Sequence, residues 1–212
     1  PTIAALSAVN LYGVGHLTLR HTRLLPVLAF FIVNPYFIYL ALTGTRAFTL
    51  LWDSSRVIQD TINEYPLFSF LFGDVHAHVL GIMTQSFLVL MVTAALVLWR
   101  DGTRARVLIL LLTALGLSVI PVVNSWDVLI WAPMILVTGF CLIGREYRGA
   151  PALTIQVVMH TVQTMIRERG GQWFQKPVIA AGFYLLLVPA LSLALISPLL
   201  LGMHTQGIAG IG

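Results

Sequence analysis

Long apolar runs constrain this chain more than any other feature, because several are long enough to cross a bilayer. A helix needs about 20 apolar residues to span the hydrocarbon core, with a usable range of roughly 17 to 25. Residues 2–19 form a weaker run that polar residues and glycines interrupt. The five stronger runs, each predicted to be a membrane span, are residues 24–43, 79–98, 107–123, 128–144 and 177–201.

The composition agrees with this pattern. Hydrophobic residues make up 58% of the 212 residues and charged residues only 9%, which lies far from the balance of a soluble domain. We therefore predict an all-α fold, a polytopic transmembrane helical bundle of five to six spans that forms a single transmembrane domain over residues 1–212. The chain opens on Pro1 rather than Met, so we expect it to be a fragment of a longer membrane protein.

Basic residues divide unevenly when the five predicted spans are threaded alternately through the bilayer. Most of the twelve Lys and Arg residues collect on one face, which the positive-inside rule makes cytoplasmic. They lie in short tufts between apolar runs, so topology explains the net charge of +4 and no nucleic-acid partner is expected. The cytoplasmic set is Arg20, Arg23, Arg100, Arg104, Arg106, Arg145, Arg148, Arg167, Arg169 and Lys176.

Two segments outside the predicted spans carry apolar residues. Residues 151–169 have apolar positions close to helical spacing and predict an amphipathic helix on the cytoplasmic surface. Residues 44–78 form a long external loop whose second half, YPLFSFLFG, is rich in large apolar side chains. We expect this loop to fold back onto the membrane surface or against the bundle. Its apolar stretch could shelter a lipid chain or simply pack as core.

Ionisable residues gather in four clusters on the predicted extracytoplasmic side, within WDSSR, INEYP, GDVHAH and NSWD. The cluster residues are Asp53, Ser54, Ser55 and Arg56; Asn63 and Glu64; Asp74, His76 and His78; and Asn124, Ser125, Trp126 and Asp127.

The GDVHAH cluster has two interpretations. In an extended segment Asp74, His76 and His78 all point the same way, whereas on a helix only the first and last share a face. Carboxylate plus imidazole suits Mn, Zn or Fe, and a carboxylate-rich external site suits Mg or Mn. The alternative is that Asp74 caps a helix beginning near His76 and that the histidines only make interfacial hydrogen bonds.

Each of the other clusters also has more than one interpretation. Arg56 has the planar donors that hold a phosphate by paired hydrogen bonds, or it belongs to a short helix started by Asp53 or Ser54. Glu64 is a candidate base, metal ligand or solvated loop acid. The NSWD residues form a tight connection between two spans and can cap the second of them.

The motif WDSSRVI, followed by TINEYPLFSFLFGDVHAHVLGI and then NSWD, resembles the YYY family of hydrophobic membrane proteins from Chloroflexi and archaea. The resemblance covers residues 52–82 closely and residues 124–127 plausibly. The chain departs from the family pattern at Tyr65, where Phe is usual, and at Ala77, where Pro is usual. The family's multi-span layout is similar to that of GT-C glycosyltransferases, which use polyprenyl-phosphate sugars outside the cytoplasm and rely on acidic external loops.

The leading hypothesis is therefore a GT-C-like transferase of the cell membrane with a polyprenyl-phosphate-linked sugar as donor. A divalent metal, Mg or Mn, is a possible cofactor, and membrane lipid and other membrane subunits are possible partners. The alternative is a non-catalytic integral subunit of a larger membrane assembly, which could bind pigment. A transporter ranks last, because such proteins usually carry an acid or base deep inside a span and the five strong spans contain none. The candidate residues are Asp74, Glu64 and Asp53 as catalytic acids, Arg56 for the substrate phosphate, Asp74, His76 and His78 for a metal, and Asn63, Asn124, Trp126 and Asp127 in supporting roles.

Overall fold

The computed structural model describes residues 2–58, 61, 64–73, 76–146 and 177–205. Within these ranges every regular element is a helix, which confirms the predicted all-α class of a helical membrane bundle. The chain divides into two compact units, Pro1–Ser86 and Phe87–Gly212, and each is described by itself. The predicted surface helix at residues 151–169 lies outside the described residues.

Short helices dominate the first unit. It contains α1, α2, α3, α4 and α5 together with the first part of α6, which continues into the second unit. Their bounds are Thr2–Thr18 for α1, Leu25–Phe30 for α2, Pro35–Leu42 for α3, Ala47–Ser54 for α4, Pro66–Phe72 for α5 and Ala77–Leu98 for α6.

The predicted span at residues 24–43 was wrong, because this run is broken into α2 and α3. Pro35 begins α3 and lacks the amide that a continuous helix would use, while Asn34 adopts an extended conformation before it. The Asn34 side chain then caps α3 by accepting a hydrogen bond from the Phe37 amide at 2.8 Å. Hydropathy alone cannot predict this break, because the residues on both sides of it are apolar.

Buried polar contacts support the packing of the first unit. The Asn10 side chain of α1 donates to the Met83 carbonyl at 3.3 Å and to the Ser86 hydroxyl at 3.2 Å, which joins α1 to α6. Ser7 is fully buried and donates back to the Ile3 carbonyl within α1. Such intrahelical bonds let small polar residues lie in apolar surroundings without an unpaired hydroxyl.

The second unit is built from long helices. After the remainder of α6 come α7, a single 3-10 turn, α8 and α9, and α9 packs against both α7 and α8. Trp99, the residue after α6, is buried. Its ring packs edge-on against the Tyr184 ring, and its indole nitrogen donates a hydrogen bond to the Pro177 carbonyl at 3.0 Å. The bounds are Thr103–Val123 for α7, Ser125–Asp127 for the 3-10 turn, Val128–Glu146 for α8 and Pro177–Thr205 for α9.

Four stretches of the described residues are long and apolar enough to cross a membrane, and they confirm four of the five predicted strong spans. The weaker run at residues 2–19 forms α1, which has 17 residues. The protein is therefore a multi-pass membrane protein. The four candidate spans are Ala77–Leu98, Thr103–Val123, Ser125–Arg145 and Ile179–Gly202.

Close helix contacts in the second unit depend on small residues. A side-chain carbon at Gly139 of α8 would lie 2.7 Å from Leu185 Cδ1 of α9, and one at Gly116 of α7 would lie 2.8 Å from Leu88 Cδ2. Ser192 of α9 donates to the Ala114 carbonyl of α7 at 2.9 Å. Small residues and interhelical hydrogen bonds are the usual means of helix association in lipid.

Three arginine side chains of the second unit donate hydrogen bonds to backbone carbonyls near helix ends. Arg106 is buried, and its Nε donates to the Trp99 carbonyl at 2.7 Å. Arg145 donates to the Leu96 carbonyl, and Arg100 donates in turn to the Arg145 carbonyl. These bonds satisfy carbonyls at helix ends that have no intrahelical partner.

Candidate functional site

The WDSSR segment lies at the end of α4, with Ser54 as the last helical residue. The alternative in which Asp53 or Ser54 starts a helix was therefore wrong, because these residues end one. Ser54 is fully buried, and its hydroxyl donates to the Leu51 carbonyl and lies 2.9 Å from the Tyr65 hydroxyl. Its carbonyl accepts a 2.5 Å hydrogen bond from the Asn34 side chain. Ser54 thus links α3, α4 and the residue before α5.

The Arg56 side chain folds back onto α4, the helix that ends two residues before it. Its Cζ lies 3.5 Å from the centroid of the Trp52 ring, four residues earlier, and this cation-π contact has a strength of about 0.5–1 kcal/mol at an exposed site. Its Nη1 donates to the buried Ser55 hydroxyl at 2.6 Å. The contacts fix one part of the guanidinium, which has five donors in a planar fork. The geometry is therefore compatible with the predicted role in binding phosphate.

Aromatic rings pack α4 against α5. Phe72 of α5 lies 5.9 Å from Phe48 and 6.0 Å from Trp52 between ring centroids, and it stacks on Phe68 at 4.6 Å. Phe68 in turn lies 5.9 Å from Tyr65. The YPLFSFLF stretch therefore serves mainly as packing for the first unit, which was one of its two predicted uses.

Glu64 is the predicted acid whose contacts the structure describes most fully. Its Oε2 accepts a hydrogen bond from the Ser69 hydroxyl at 3.2 Å and lies 3.5 Å from His78 Nε2. The Glu64 side chain is 20% exposed and the His78 side chain 55% exposed. Because Pro66 starts α5, Ser69 lies one turn into the helix and faces back toward Glu64. This acid is thus partly shielded yet open to a ligand.

The two histidines of GDVHAH lie at the start of α6. The helix begins at Ala77, and the His76 carbonyl accepts hydrogen bonds from the amides of Val79 and Leu80. The rings of His76 and His78 are nearly parallel, with centroids 5.7 Å apart. A helix start near His76 is therefore confirmed, while both imidazoles stay exposed and close together.

Gly73 makes the sharp turn between α5 and α6 possible. Its φ of 68° and ψ of 29° are left-handed, and its amide donates to the Ser69 carbonyl as a helix C-cap. Any residue with a Cβ is strained in this conformation. Gly73 therefore ends α5, and His78, the second residue of α6, lies 3.5 Å from Glu64 Oε2.

Two predicted residues, Asp74 and Asn63, lie outside the described residues, so the predicted Asp74–His76–His78 metal set stays a prediction. Among the residues that the structure describes, no group of three or more His, Cys, Asp or Glu side chains could hold a metal ion. Glu64 and His78 supply two possible ligand atoms. A carboxylate and an imidazole together suit Mn²⁺ better than Mg²⁺, which prefers oxygen ligands.

The NSWD residues belong to the second unit. They form the predicted tight connection between α7 and α8, where the Asn124 side chain donates to Asp127 Oδ1 at 3.1 Å. Trp126 is largely exposed, as expected for an aromatic residue at a membrane boundary. The supporting roles of these three residues stay a prediction.

Sequence reasoning missed Asn34. The structure gives it two partners, the Phe37 amide that it caps and the Ser54 carbonyl to which it donates. The available signal was an Asn-Pro pair inside an apolar run, because this dipeptide favours a turn or a helix start. A cavity of about 460 Å³ opens beside it, lined by Asn34, Pro35, Tyr36, Tyr39 and Val57.

Comparison with known proteins gives one assignment at the family level. The family described as "Uncharacterized membrane protein (DUF2298)" matches residues 1–212. No curated protein and no solved structure matches the chain. The resemblance to the YYY family and to the GT-C layout stays a prediction.

Proposed function

Because the chain belongs to the uncharacterized membrane protein family DUF2298, we propose its function from its own residues. We propose a GT-C-like membrane glycosyltransferase that takes a sugar from a polyprenyl-phosphate carrier on the extracytoplasmic side of the cell membrane. The observation that supports this most is the packing of α4 against α5, with the Ser54–Tyr65 contact, in one compact unit. This packing joins the segment that ends just before Arg56 to the segment that follows Glu64, and Glu64 Oε2 in turn lies 3.5 Å from His78 Nε2.

The proposed reaction is a displacement at the anomeric carbon of the donor sugar. An acceptor hydroxyl oxygen attacks this carbon, the bond from the carbon to the phosphate oxygen breaks, and its electron pair leaves with the polyprenyl phosphate. The hydroxyl proton passes to a carboxylate. Glu64 is the proposed base, because Ser69 and His78 orient its Oε2 and it keeps access to solvent. Asp74 and Asp53 are the other candidate acids.

Arg56 has the proposed task of stabilising the leaving phosphate. A guanidinium offers paired hydrogen bonds to phosphate oxygens. Its position on the Trp52 ring is set before substrate arrives, which limits the entropy lost on binding. A divalent metal held by Glu64, His78 and the predicted ligands Asp74 and His76 would supply further positive charge to that phosphate.

The carrier chain has a candidate place next to Arg56. Val57 follows Arg56 directly and lines the cavity of Tyr36 and Tyr39, whose volume of about 460 Å³ is within the usual range for small-molecule sites. The rings of Tyr36 and Tyr39 stack with centroids 5.8 Å apart. An apolar cavity lined by the residue that follows Arg56 suits a phosphate that carries a hydrocarbon chain.

The test is a transfer assay with the purified chain in lipid nanodiscs. A panel of short polyprenyl-phosphate sugars is supplied together with a panel of hydroxyl-bearing acceptors and with Mn²⁺ or Mg²⁺, and the polyprenyl phosphate formed is measured by mass spectrometry. We expect one donor to be consumed by the wild-type protein and not by Arg56→Gln. Failure of every donor would contradict the proposal and favour the non-catalytic subunit, for which co-purifying membrane proteins would then be sought.

A further inference from the structure

The turn between α1 and α2 forms a second cavity that the proposed transfer does not use. Its volume is about 390 Å³. One side is lined by Tyr12, His21, Thr22 and Arg23, and the other by three leucines at the start of α2. We call it the turn cavity. Cationic and apolar side chains thus share one opening.

The position of Arg23 in this cavity is set by close backbone packing. Any Cβ at Gly15 would collide with the Arg23 carbonyl, so only glycine lets the turn fold back onto α1. The Leu19 amide donates to the Gly15 carbonyl at 2.8 Å, and the Leu25 amide donates to the Thr22 carbonyl at 2.9 Å. These bonds hold the turn without using the side chains that line the cavity.

Arg23 is the one Lys, Arg, Asp or Glu among the described residues that line the turn cavity. The first 52 residues contain three arginines, Arg20, Arg23 and Arg46, and neither Asp nor Glu. The acids that the structure describes in the first unit are Asp53 and Glu64, and neither lines the turn cavity. An anion is therefore the ligand that this segment favours electrostatically.

The apolar side of the cavity is exposed. Leu24, Leu25 and Leu28 each leave more than half of their surface uncovered in the first unit. A soluble anion would leave these side chains uncovered, whereas an anion that carries an acyl chain would cover them. The ligand that satisfies both halves of the cavity is amphipathic and negatively charged.

We propose that the turn cavity binds one anionic glycerophospholipid of the surrounding bilayer. Its phosphate lies on the Arg23 guanidinium, with His21 and Thr22 as further donors, and one acyl chain lies over the three leucines. This site is independent of sugar transfer, because it uses none of the residues assigned to that reaction.

The test is native mass spectrometry of the full chain released from mixed micelles that contain equal amounts of phosphatidylglycerol and phosphatidylcholine. We expect the wild-type protein to retain phosphatidylglycerol selectively. Arg23→Gln should weaken this binding about tenfold, because a charge-assisted hydrogen bond to phosphate is lost. Arg46→Gln is the matched control, an exposed arginine of the same unit outside the cavity, and should bind as the wild type does.

Two further experiments distinguish a bound lipid from free phosphate and distinguish a loss of binding from a loss of folding. Leu25→Ser should weaken phosphatidylglycerol binding while leaving the thermal unfolding of the protein unchanged, because this side chain is largely exposed. Inorganic phosphate at millimolar concentration should not displace the lipid. The proposal is overturned if Arg23→Gln retains phosphatidylglycerol as well as Arg46→Gln does, if both lipids bind the wild type equally, or if free phosphate displaces the lipid.

Discussion

The hydroxyl groups of Ser54 and Tyr65 lie 2.9 Å apart in the first unit. Ser54 ends α4, and Tyr65 is the residue before α5, so this contact joins the segment that carries Arg56 to the segment that carries Glu64. Aromatic packing between the two helices supports the same arrangement.

Tyr65→Phe removes this hydrogen bond and keeps the ring against Phe68. Ser54 still donates to the Leu51 carbonyl, so we expect the free energy of unfolding to fall by about 1 kcal/mol. Thermal unfolding in detergent measures the loss. Tyr12→Phe changes a half-exposed ring of the same unit and is the control. Equal unfolding of the two variants would show that the Ser54–Tyr65 contact contributes nothing.

Arg56 can be probed by separating its charge from its shape. Arg56→Lys keeps a positive charge and loses the planar fork and the stacking on Trp52, whereas Arg56→Gln loses the charge as well. We expect binding of polyprenyl phosphate to weaken about tenfold in the lysine variant and more in the glutamine variant. Fluorescence titration with a labelled carrier reports both. If lysine restored wild-type binding, the specific guanidinium contacts would be unnecessary.

The positive-inside rule predicts the sidedness of the loops, and labelling tests this prediction. In a Cys141→Ala background, Trp126→Cys and Asp101→Cys place single thiols on opposite ends of α7. We expect a membrane-impermeant maleimide to label residue 126 in intact cells and residue 101 only after permeabilisation. The reverse pattern would place the NSWD connection in the cytoplasm and remove the extracytoplasmic site.

Packing in the second unit depends on the absence of a side chain at Gly139. A Cβ there would lie 2.7 Å from Leu185 Cδ1 and 3.3 Å from Leu185 Cβ, so Gly139→Val should lower the free energy of unfolding by about 1–3 kcal/mol. Gly144 is in the same helix with open space around it, and Gly144→Val is the matched control. Thermal unfolding of the two variants in detergent gives the comparison. A control that unfolds as early as Gly139→Val would mean that helix propensity, and not contact with α9, sets the effect.

The sequence predicted the parts of this fold that hydropathy determines. Four spans are long apolar runs that their lengths identify, although three of them contain internal prolines. The run at residues 24–43 has the same composition but contains Asn34 and Pro35, and its break depends on a hydrogen bond to Ser54, twenty residues away. Local pattern cannot supply such a partner.

The candidate site divides in the same way. Trp52 and Arg56 are only four residues apart, so their contact needs no distant partner, although α4 ends at Ser54 and Arg56 lies outside the helix. The approach of Glu64 to His78 could not be foreseen, because it depends on the direction in which Gly73 turns the chain between α5 and α6. The sequence therefore supplied the candidate groups, and the fold selects which of them meet.

The most direct measurement of the central claim is the rate of sugar transfer by Glu64→Gln. Glutamine keeps the size of the side chain and can still accept a hydrogen bond from Ser69, but it cannot take the proton of the acceptor hydroxyl. The account predicts a rate at least about a hundredfold below that of the wild type under single-turnover conditions, with Asp101→Asn, an exposed acid of the second unit, unchanged. A Glu64→Gln protein that transfers sugar at the wild-type rate would contradict it.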